Sequence, residues 1–167
     1  MKKIIISAAM VALSATAAHA ASGNTANATG SATAIIVSPI RITHNAGASL
    51  NFGTVTAGTG GTVVVSQAGG GSVTGDVGTV AGNSNSADAF TVTGDLIRAF
   101  NISTSTGNTV STGGALPSTM AFSLSAPSTG ALLLGTYALN VGGTLTVGAA
   151  QAAGSYSGSY TVTVTYQ

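Results

Sequence analysis

Apolar and polar positions alternate over the end of the chain, from Ser155 to Gln167. One set of alternate positions holds glycine, tyrosine and valine: Tyr156, Gly158, Tyr160, Val162, Val164 and Tyr166. The intervening positions, up to Thr165, hold only serine and threonine. A period of two is typical of a half-buried β-strand, so the pattern predicts a strand whose valine and tyrosine side chains face a core. Because chain ends fray unless they are held, this strand is expected to be part of the fold.

Short apolar segments of strand character recur along the rest of the chain, separated by clusters of glycine, serine, asparagine and proline. The predicted strands are residues 32–37, 40–43, 50–55, 62–67, 72–77, 89–93, 99–104, 120–124, 132–134, 137–141 and 144–147. We expect 89–93 to pair with 99–104 around Gly94–Asp95, and Gly142–Gly143 to join the last two segments. Residues 107–117 are predicted to be a loop. Because no segment after residue 20 has helical periodicity, the chain is predicted to be an all-β sandwich.

The first twenty residues have the pattern of a secretory signal peptide. Lys2 and Lys3 precede an apolar run from Ile4 to Ala18, and Ala18-His19-Ala20 supplies small residues at the cleavage position. Such a run is too short for a membrane anchor. We therefore expect cleavage after Ala20 and a secreted chain of residues 21–167.

Residues 21–33 are small and polar, and two interpretations of them stay open. The bland interpretation is a disordered linker of low complexity. The alternative is an extended strand, because small apolar residues alternate with polar ones. The positions that would face inward are Ala26, Ala28, Gly30, Ala32, Ala34 and Ile36.

Charged residues are scarce after residue 20, where two arginines face three aspartates and there is no lysine, glutamate or cysteine. The absence of a basic patch argues against nucleic acid as a partner. The acids form no cluster for calcium, and one histidine without cysteine does not make a common zinc site. We therefore expect no metal, no cofactor and no small-molecule substrate.

The candidates for catalysis are few. His44 with a serine and an aspartate would be needed for a hydrolytic triad, but the sequence has no Gly-x-Ser-x-Gly motif. His44 lies in a sequence that predicts an exposed turn, and Asp88 and Asp95 are predicted to cap turns. Arg41 and Arg98 are predicted to be solubilising surface residues. We expect a protein that is not an enzyme.

Three groups of residues resemble the subunits of chaperone–usher fimbriae, most closely the archaic and spore-coat-protein-U-like subunits and related cysteine-free secreted domains of unknown function. They are Leu50-Asn51-Phe52-Gly53, Val141-Gly142-Gly143-Thr144-Leu145, and Gly154 to Gln167. Many pilins have an alternating last strand with a penultimate tyrosine and a glycine fourteen places from the end. Tyr166 and Gly154 occupy these positions here.

The resemblance implies an incomplete immunoglobulin-like sandwich, residues 34–167, with a groove beside its last strand. A periplasmic chaperone first fills this groove, and at the outer-membrane usher the N-terminal extension of the next copy replaces it. The interface would then include Gly154, Tyr156, Gly158, Tyr160, Val162, Val164 and Tyr166. Residues 21–33 would be the donor strand, and thirteen extended residues reach roughly 43 Å.

The leading hypothesis is therefore a structural subunit of a surface fimbria, built from copies of this chain and serving adhesion and biofilm formation. It would pass through the periplasm to the cell surface. A second hypothesis is a self-complete secreted sandwich that binds a carbohydrate or a matrix component. A third is a secreted hydrolase whose activity depends on His44.

Overall fold

The computed structural model describes residues 25–167. The predicted signal peptide, residues 1–20, lies outside this range. Twelve strands and no helix are present in residues 25–167. The strands are β1 Arg41–His44, β2 Val55–Thr56, β3 Gly61–Val65, β4 Gly71–Gly75, β5 Gly78–Thr79, β6 Asp88–Thr93, β7 Ala99–Thr104, β8 Asn108–Ser111, β9 Thr119–Ser125, β10 Thr129–Ala131, β11 Thr136–Val147 and β12 Val162–Tyr166. In this part of the chain no helix could span a membrane.

The strands form two main antiparallel sheets and a short ribbon. The larger sheet has the order β1-β6-β11-β3-β4, and β9 pairs with β11 and carries β8. The smaller sheet has the order β10-β7-β12, and β2 pairs with β5. The predicted all-β sandwich is confirmed. In the smaller sheet β12 is an edge strand, paired with β7 on one side.

The core consists of two clusters along the long strand β11. The first is formed by both sheets: Val92, Leu139 and Val141 of the larger sheet meet Phe100 and Ile102 of β7, with Leu132 between them. The second cluster takes Val63, Phe122, Leu145 and Val147 from the larger sheet and Val77 from a connection. The smaller sheet thus covers only one half of the larger sheet.

The strand β11 is continuous where two strands were expected. Gly142 and Gly143 are buried in its middle, so the predicted turn at this point is wrong. The strand stays straight here because its neighbours on both sides approach closely. An added Cβ at Gly142 would overlap the carbonyl oxygen of Val65, and one at Gly143 would lie 2.7 Å from that of Ser123.

Other predicted elements also need correction. β6 and β7 lie in different sheets, so the predicted pair around Gly94–Asp95 is wrong: Val92 and Phe100 face each other across the core rather than along a hairpin. Residues 108–111, predicted to be loop, form β8 because they complete the sheet beside β9. Residues 50–55 contribute only a bridge between Asn51 and Ser86 and the first residue of β2. Leu133 forms only an isolated bridge to Thr136, and Leu134 lies in the turn between them, so the strand predicted over 132–134 is absent.

The described residues belong to two units, and the larger of them, Ile36–Gln167, is the compact unit that contains all the strands. Residues 25–35, the described part of the other unit, form no strand, and their side chains are exposed. The strand expected over residues 32–37 is therefore absent. No partner strand supplies the main-chain hydrogen bonds that an extended segment needs within this part of the chain.

Candidate functional site

A cleft of about 1260 Å³ opens over the second core cluster, where the smaller sheet is missing. Two chain segments flank it: residues 49–57, the N-terminal segment, and residues 151–160, the C-terminal segment. Most of the N-terminal segment is irregular, and the C-terminal segment joins the larger sheet only through a bridge between Ser157 and Ser111. The cleft exceeds the size usual for small-molecule pockets.

The larger sheet lines the cleft with apolar side chains. They come from four strands and are Phe90, Val110, Met120, Phe122, Leu145 and Val147. Phe122 makes edge-to-face contacts with Phe52 and Tyr160, at centroid distances of 6.1 and 6.3 Å. Phe122, Leu145 and Val147 are only 4–7% exposed, whereas Phe90, Val110 and Met120 are half-buried and keep part of the apolar lining accessible. This lining favours an apolar or amphipathic occupant.

One end of the cleft is polar and centres on Asp88, the first residue of β6. Asp88 is only 5% exposed. Its Oδ1 lies 2.6 Å from Nε2 of His44 and accepts the main-chain N–H of Ala89, and its Oδ2 accepts the hydroxyl of Tyr160 at 2.5 Å. Three donors thus surround a carboxylate that burial alone would disfavour in its charged form.

The burial of Tyr160 and its contact with Asp88 change the pKa of the Tyr160 hydroxyl. Burial raises the pKa of its hydroxyl well above the usual value, and the hydrogen bond to Asp88 and the negative charge of Asp88 raise this pKa further. The hydroxyl is therefore protonated at neutral pH and donates its hydrogen bond to Asp88. Because Tyr160 also packs against both core clusters, it connects the C-terminal segment to β6 and the core.

The strands and the cleft described above lie within a segment that matches a known protein family. Residues 40–166, which include β1, the cleft and β12, match the domain of unknown function DUF4402. The chain belongs to the DUF4402 family. Neither the curated proteins nor the solved structures that were compared with the chain give a match.

In the DUF4402 domain four of the seven predicted interface residues line the cleft, and the last strand is shorter than predicted. β12 spans only Val162–Tyr166, because residues 155–160 do not pair with β7 and Ser157 bridges to Ser111 of β8 instead. The alternation persists in the burial of the tyrosines and valines. Tyr156, Tyr160, Val162, Val164 and Tyr166 are half-buried, whereas the residues between them are exposed.

The two glycines of the predicted interface are exposed. Gly158 passes close to β8, and a Cβ there would overlap the carbonyl oxygen of Thr109. Gly154 lines the cleft together with Tyr156 and Tyr160. Val162, Val164 and Tyr166 lie outside the cleft lining and pack against the first core cluster. The predicted set therefore divides between the cleft and the covered core.

The predicted donor-strand positions Ala26, Ala28, Gly30, Ala32, Ala34 and Ile36 are all exposed in the described chain. Ile35 and Ile36 are 91% and 96% exposed, which is unusual for isoleucine. Residues 25–36 thus have large apolar side chains at their C-terminal end and small side chains elsewhere.

Sequence reasoning missed the polar end of the cleft. His44 ends β1 instead of lying in a free turn, and Asp88 is buried instead of capping a turn. The signal was available, because Asp88 has the same parity as Phe90 and Val92 and so faces the core. Asp95 pairs with Arg98 at 3.2 Å, so Arg98 is more than a solubilising residue.

Two of the three groups that the hydrolase hypothesis requires, a histidine and an aspartate, lie together in the structure. His44 and Asp88 are in contact, but Nε2 of the ring, the atom that contacts a serine in a triad, is used for Asp88. Among the side-chain hydrogen bonds of residues 25–167, none joins His44 to a serine hydroxyl. The arrangement is a hydrogen-bonded pair of His44 and Asp88 at one end of the cleft.

Replacing Tyr160 with phenylalanine is expected to lower the free energy of unfolding at pH 7 by about 2 kcal/mol, because buried Asp88 loses a donor. The stabilising contribution of the Tyr160 hydroxyl is lost progressively at high pH. Its folded pKa is raised, so above pH ~10 the unfolded chain loses this proton first and stability falls. The difference between variant and wild type should therefore narrow above pH 10, measured by urea denaturation.

Tyr137→Phe is the matched control, because the Tyr137 hydroxyl makes no side-chain hydrogen bond within the described residues, while its ring packs edge-to-face on Phe100. We expect this variant to change the free energy of unfolding at pH 7 only slightly. Equal losses in the two variants would contradict the role given to the bond between Tyr160 and Asp88.

Proposed function

We propose that this DUF4402 protein is a structural subunit of a surface fimbria and polymerises by donor-strand complementation. In this proposal the N-terminal extension of one copy fills the cleft of the next. A periplasmic chaperone occupies the cleft beforehand, and an outer-membrane usher directs the exchange. The predicted signal peptide directs the chain into the periplasm, and the assembled fibre lies on the cell surface.

The half-covered larger sheet is the observation that carries the proposal. Its second half, with Phe122, Leu145 and Val147, lies beneath a cleft instead of beneath the smaller sheet. These three residues are already buried, so an added strand would remove from water the accessible parts of half-buried Phe90, Val110 and Met120. Burial of apolar surface is the main favourable term in association.

The main chain beside the cleft also supports an added strand. Within residues 152–160, the main-chain hydrogen bonds are the pair between Ser157 and Ser111. The Ala152 carbonyl accepts the Tyr156 hydroxyl, and the remaining N–H and C=O groups of this segment are available to a partner backbone. The segment carries no charge, and charged side chains are a common means of preventing strand addition at an edge.

The extension has the properties of a donor. Residues 25–35 are exposed and have no strand partner in the described chain. They contain no charge, and their small residues alternate with threonine, asparagine and serine. Because main-chain bonds provide much of the affinity in strand addition, small side chains are compatible with binding. Head-to-tail contacts of this kind produce open filaments instead of closed rings.

Disulfide cross-linking tests the proposal directly, because the chain contains no cysteine. Thr29 in the extension has the parity that faces away from the cleft in the proposed register, and Ser157 is an exposed residue at the edge of the cleft. We expect the double variant Thr29→Cys/Ser157→Cys of residues 21–167 to give a ladder of covalent oligomers on mild oxidation. Ser155→Cys and Ser159→Cys, tested in the same way, cover the neighbouring registers, because a disulfide requires Cα atoms within about 7 Å.

Ser72→Cys with Thr29→Cys is the matched control, since Ser72 is an exposed serine of β4 outside the cleft. The proposal requires a ladder from the cleft pairs and only background from this control. A compact cross-linked monomer would instead indicate that each chain fills its own cleft. Equal ladders from all pairs would also contradict the proposal.

The polar end of the cleft supports a second candidate function, carbohydrate binding by a self-complete domain. The Asp88–His44 pair and the nearby tyrosine rings are the kind of groups that hydrogen-bond and stack on sugars. Binding of a glycan by the monomer, lost in Asp88→Asn and Tyr156→Ala, together with the absence of a cross-linked ladder, would favour this candidate.

A further inference from the structure

Two connections at one end of the domain present large apolar side chains to solvent. One connection, residues 94–98, joins β6 to β7, and the other, residues 132–135, joins β10 to β11. Their exposed residues are Leu96, Ile97, Leu133 and Leu134, with exposures of 64%, 83%, 69% and 88%. We call these four residues the apolar tip. The connections are tied together, because Gly94 N–H donates to Gly135 and Ile97 N–H donates to Leu132.

The backbone of the apolar tip holds two of these residues in an unfavourable conformation. Ile97 has a φ of 56° and Leu134 a φ of 55°, in the left-handed region. This region suits glycine and asparagine, and it is least suited to a β-branched residue such as isoleucine. Strained positions of this kind persist mainly where function requires them. Glycine or asparagine would be the stable choice at both positions, so the apolar side chains need another reason.

The position of the apolar tip suggests that reason. The hydroxyl of Tyr166 accepts the N–H of Asp95 at 2.6 Å and donates to the carbonyl of Ser38 at 2.9 Å. Asp95 belongs to the first connection of the tip, and Ser38 lies just after the start of the compact unit. The chain therefore enters the domain beside the apolar tip. The charges here compensate each other, because Arg98 pairs with Asp95 and lies over the Tyr166 ring.

We propose that the apolar tip packs against a second copy of this chain, the neighbour whose cleft receives the N-terminal extension. This inference rests on the proposed function. The extension leaves the domain next to the tip, so the copy that holds the extension is kept close to the tip by a short tether. A tethered contact forms at a high effective concentration and needs little affinity of its own. Contiguous exposed apolar side chains are typical of such contact sites.

The test uses the double variant Ile97→Asn/Leu134→Asn of residues 21–167. Asparagine tolerates the left-handed conformation, so the variant should have a thermal midpoint equal to or above that of the wild type. We expect its fibre assembly to be at least about fivefold slower, measured by light scattering and electron microscopy, because about half of the apolar tip is lost. Leu116→Asn is the matched control: Leu116 is 96% exposed between β8 and β9 and should be without effect.

The result separates this inference from the proposed function. A ladder from Thr29→Cys/Ser157→Cys in the double-variant background, with slow assembly, supports both. Wild-type assembly rates with an intact ladder overturn only the role of the apolar tip. The same is true if assembly is normal but the fibres no longer adsorb to octyl-coated beads, because the tip would then contact foreign apolar surfaces. If the wild type neither forms a ladder nor assembles, both proposals fail. Ile97→Gly/Leu134→Gly repeats the test should the asparagine variant have a lowered midpoint.

Discussion

Replacing Gly142 with alanine is expected to lower the free energy of unfolding by about 3 kcal/mol, near the upper end of the usual range for overpacking. The added methyl would overlap the Val65 carbonyl oxygen and approach the main chain of Ser66 and Gln67. All three contacts are with backbone, which cannot yield by a change of rotamer. To make room, β3 must move away from β11 and its ladder bonds must lengthen. Urea denaturation of the variant and the wild type measures the loss.

Gly70→Ala is the control for the effect of the glycine-to-alanine change on the entropy of the unfolded chain. Gly70 has an ordinary φ, and the nearest atom to an added Cβ is the Ser66 hydroxyl oxygen at 3.5 Å, an ordinary contact. We expect the stability of this variant to stay within about 0.5 kcal/mol of wild type, as for a surface substitution. If Gly142→Ala were equally mild, the close approach of β3 and β11 would be absent in solution.

The same glycines illustrate how far the sequence predicts the fold. Composition and period-two alternation correctly predict an all-β sandwich, but Gly142–Gly143 was interpreted as a turn. The odd numbering of the apolar residues on both sides of the two glycines predicts a single continuous strand. Tyr137, Leu139, Val141, Leu145 and Val147 all have odd numbers, so one straight strand places them on one face. Glycine is required here by neighbouring backbone, and sequence alone does not reveal that neighbour.

The candidate site was predictable only in part, for a similar reason. Alternation indicated which side of the last strand faces inward, and the burial of Tyr160 and Val164 agrees. The cleft itself depends on which half of β11 the smaller sheet covers, and that is decided by pairings between residues far apart in sequence. The contact between His44 and Asp88 joins residues 44 positions apart and has no local signature.

In the proposed donor-strand assembly, lengthening one side chain of the extension that would face the cleft should slow the dissociation of subunits from the fibre. The proposed donor positions are mostly alanine, and the half-buried apolar side chains of Phe90, Val110 and Met120 line the cleft. Ala28→Leu adds three carbons, and burial of each contributes up to about 0.8 kcal/mol, or about 2 kcal/mol in total. We therefore expect subunits to dissociate from fibres roughly thirtyfold more slowly. Exchange of fluorescently labelled subunits into preformed fibres measures this rate.

Thr29→Leu is the matched control for Ala28→Leu, because it adds the same hydrophobic side chain at a position that does not face the cleft in the proposed register. It introduces the same side chain one position along the chain, on the opposite face of an extended strand. If the extension lies in the cleft with Ala28 inward, Thr29→Leu leaves the dissociation rate near the wild-type value, because the new side chain stays in water. Faster exchange in Ala28→Leu would mean that the cleft has no room for leucine at this register, and Ala26→Leu and Ala32→Leu then test the same parity elsewhere. Equal slowing by leucine at positions 28 and 29 would contradict strand addition, because a disordered apolar contact has no parity and a β-strand does.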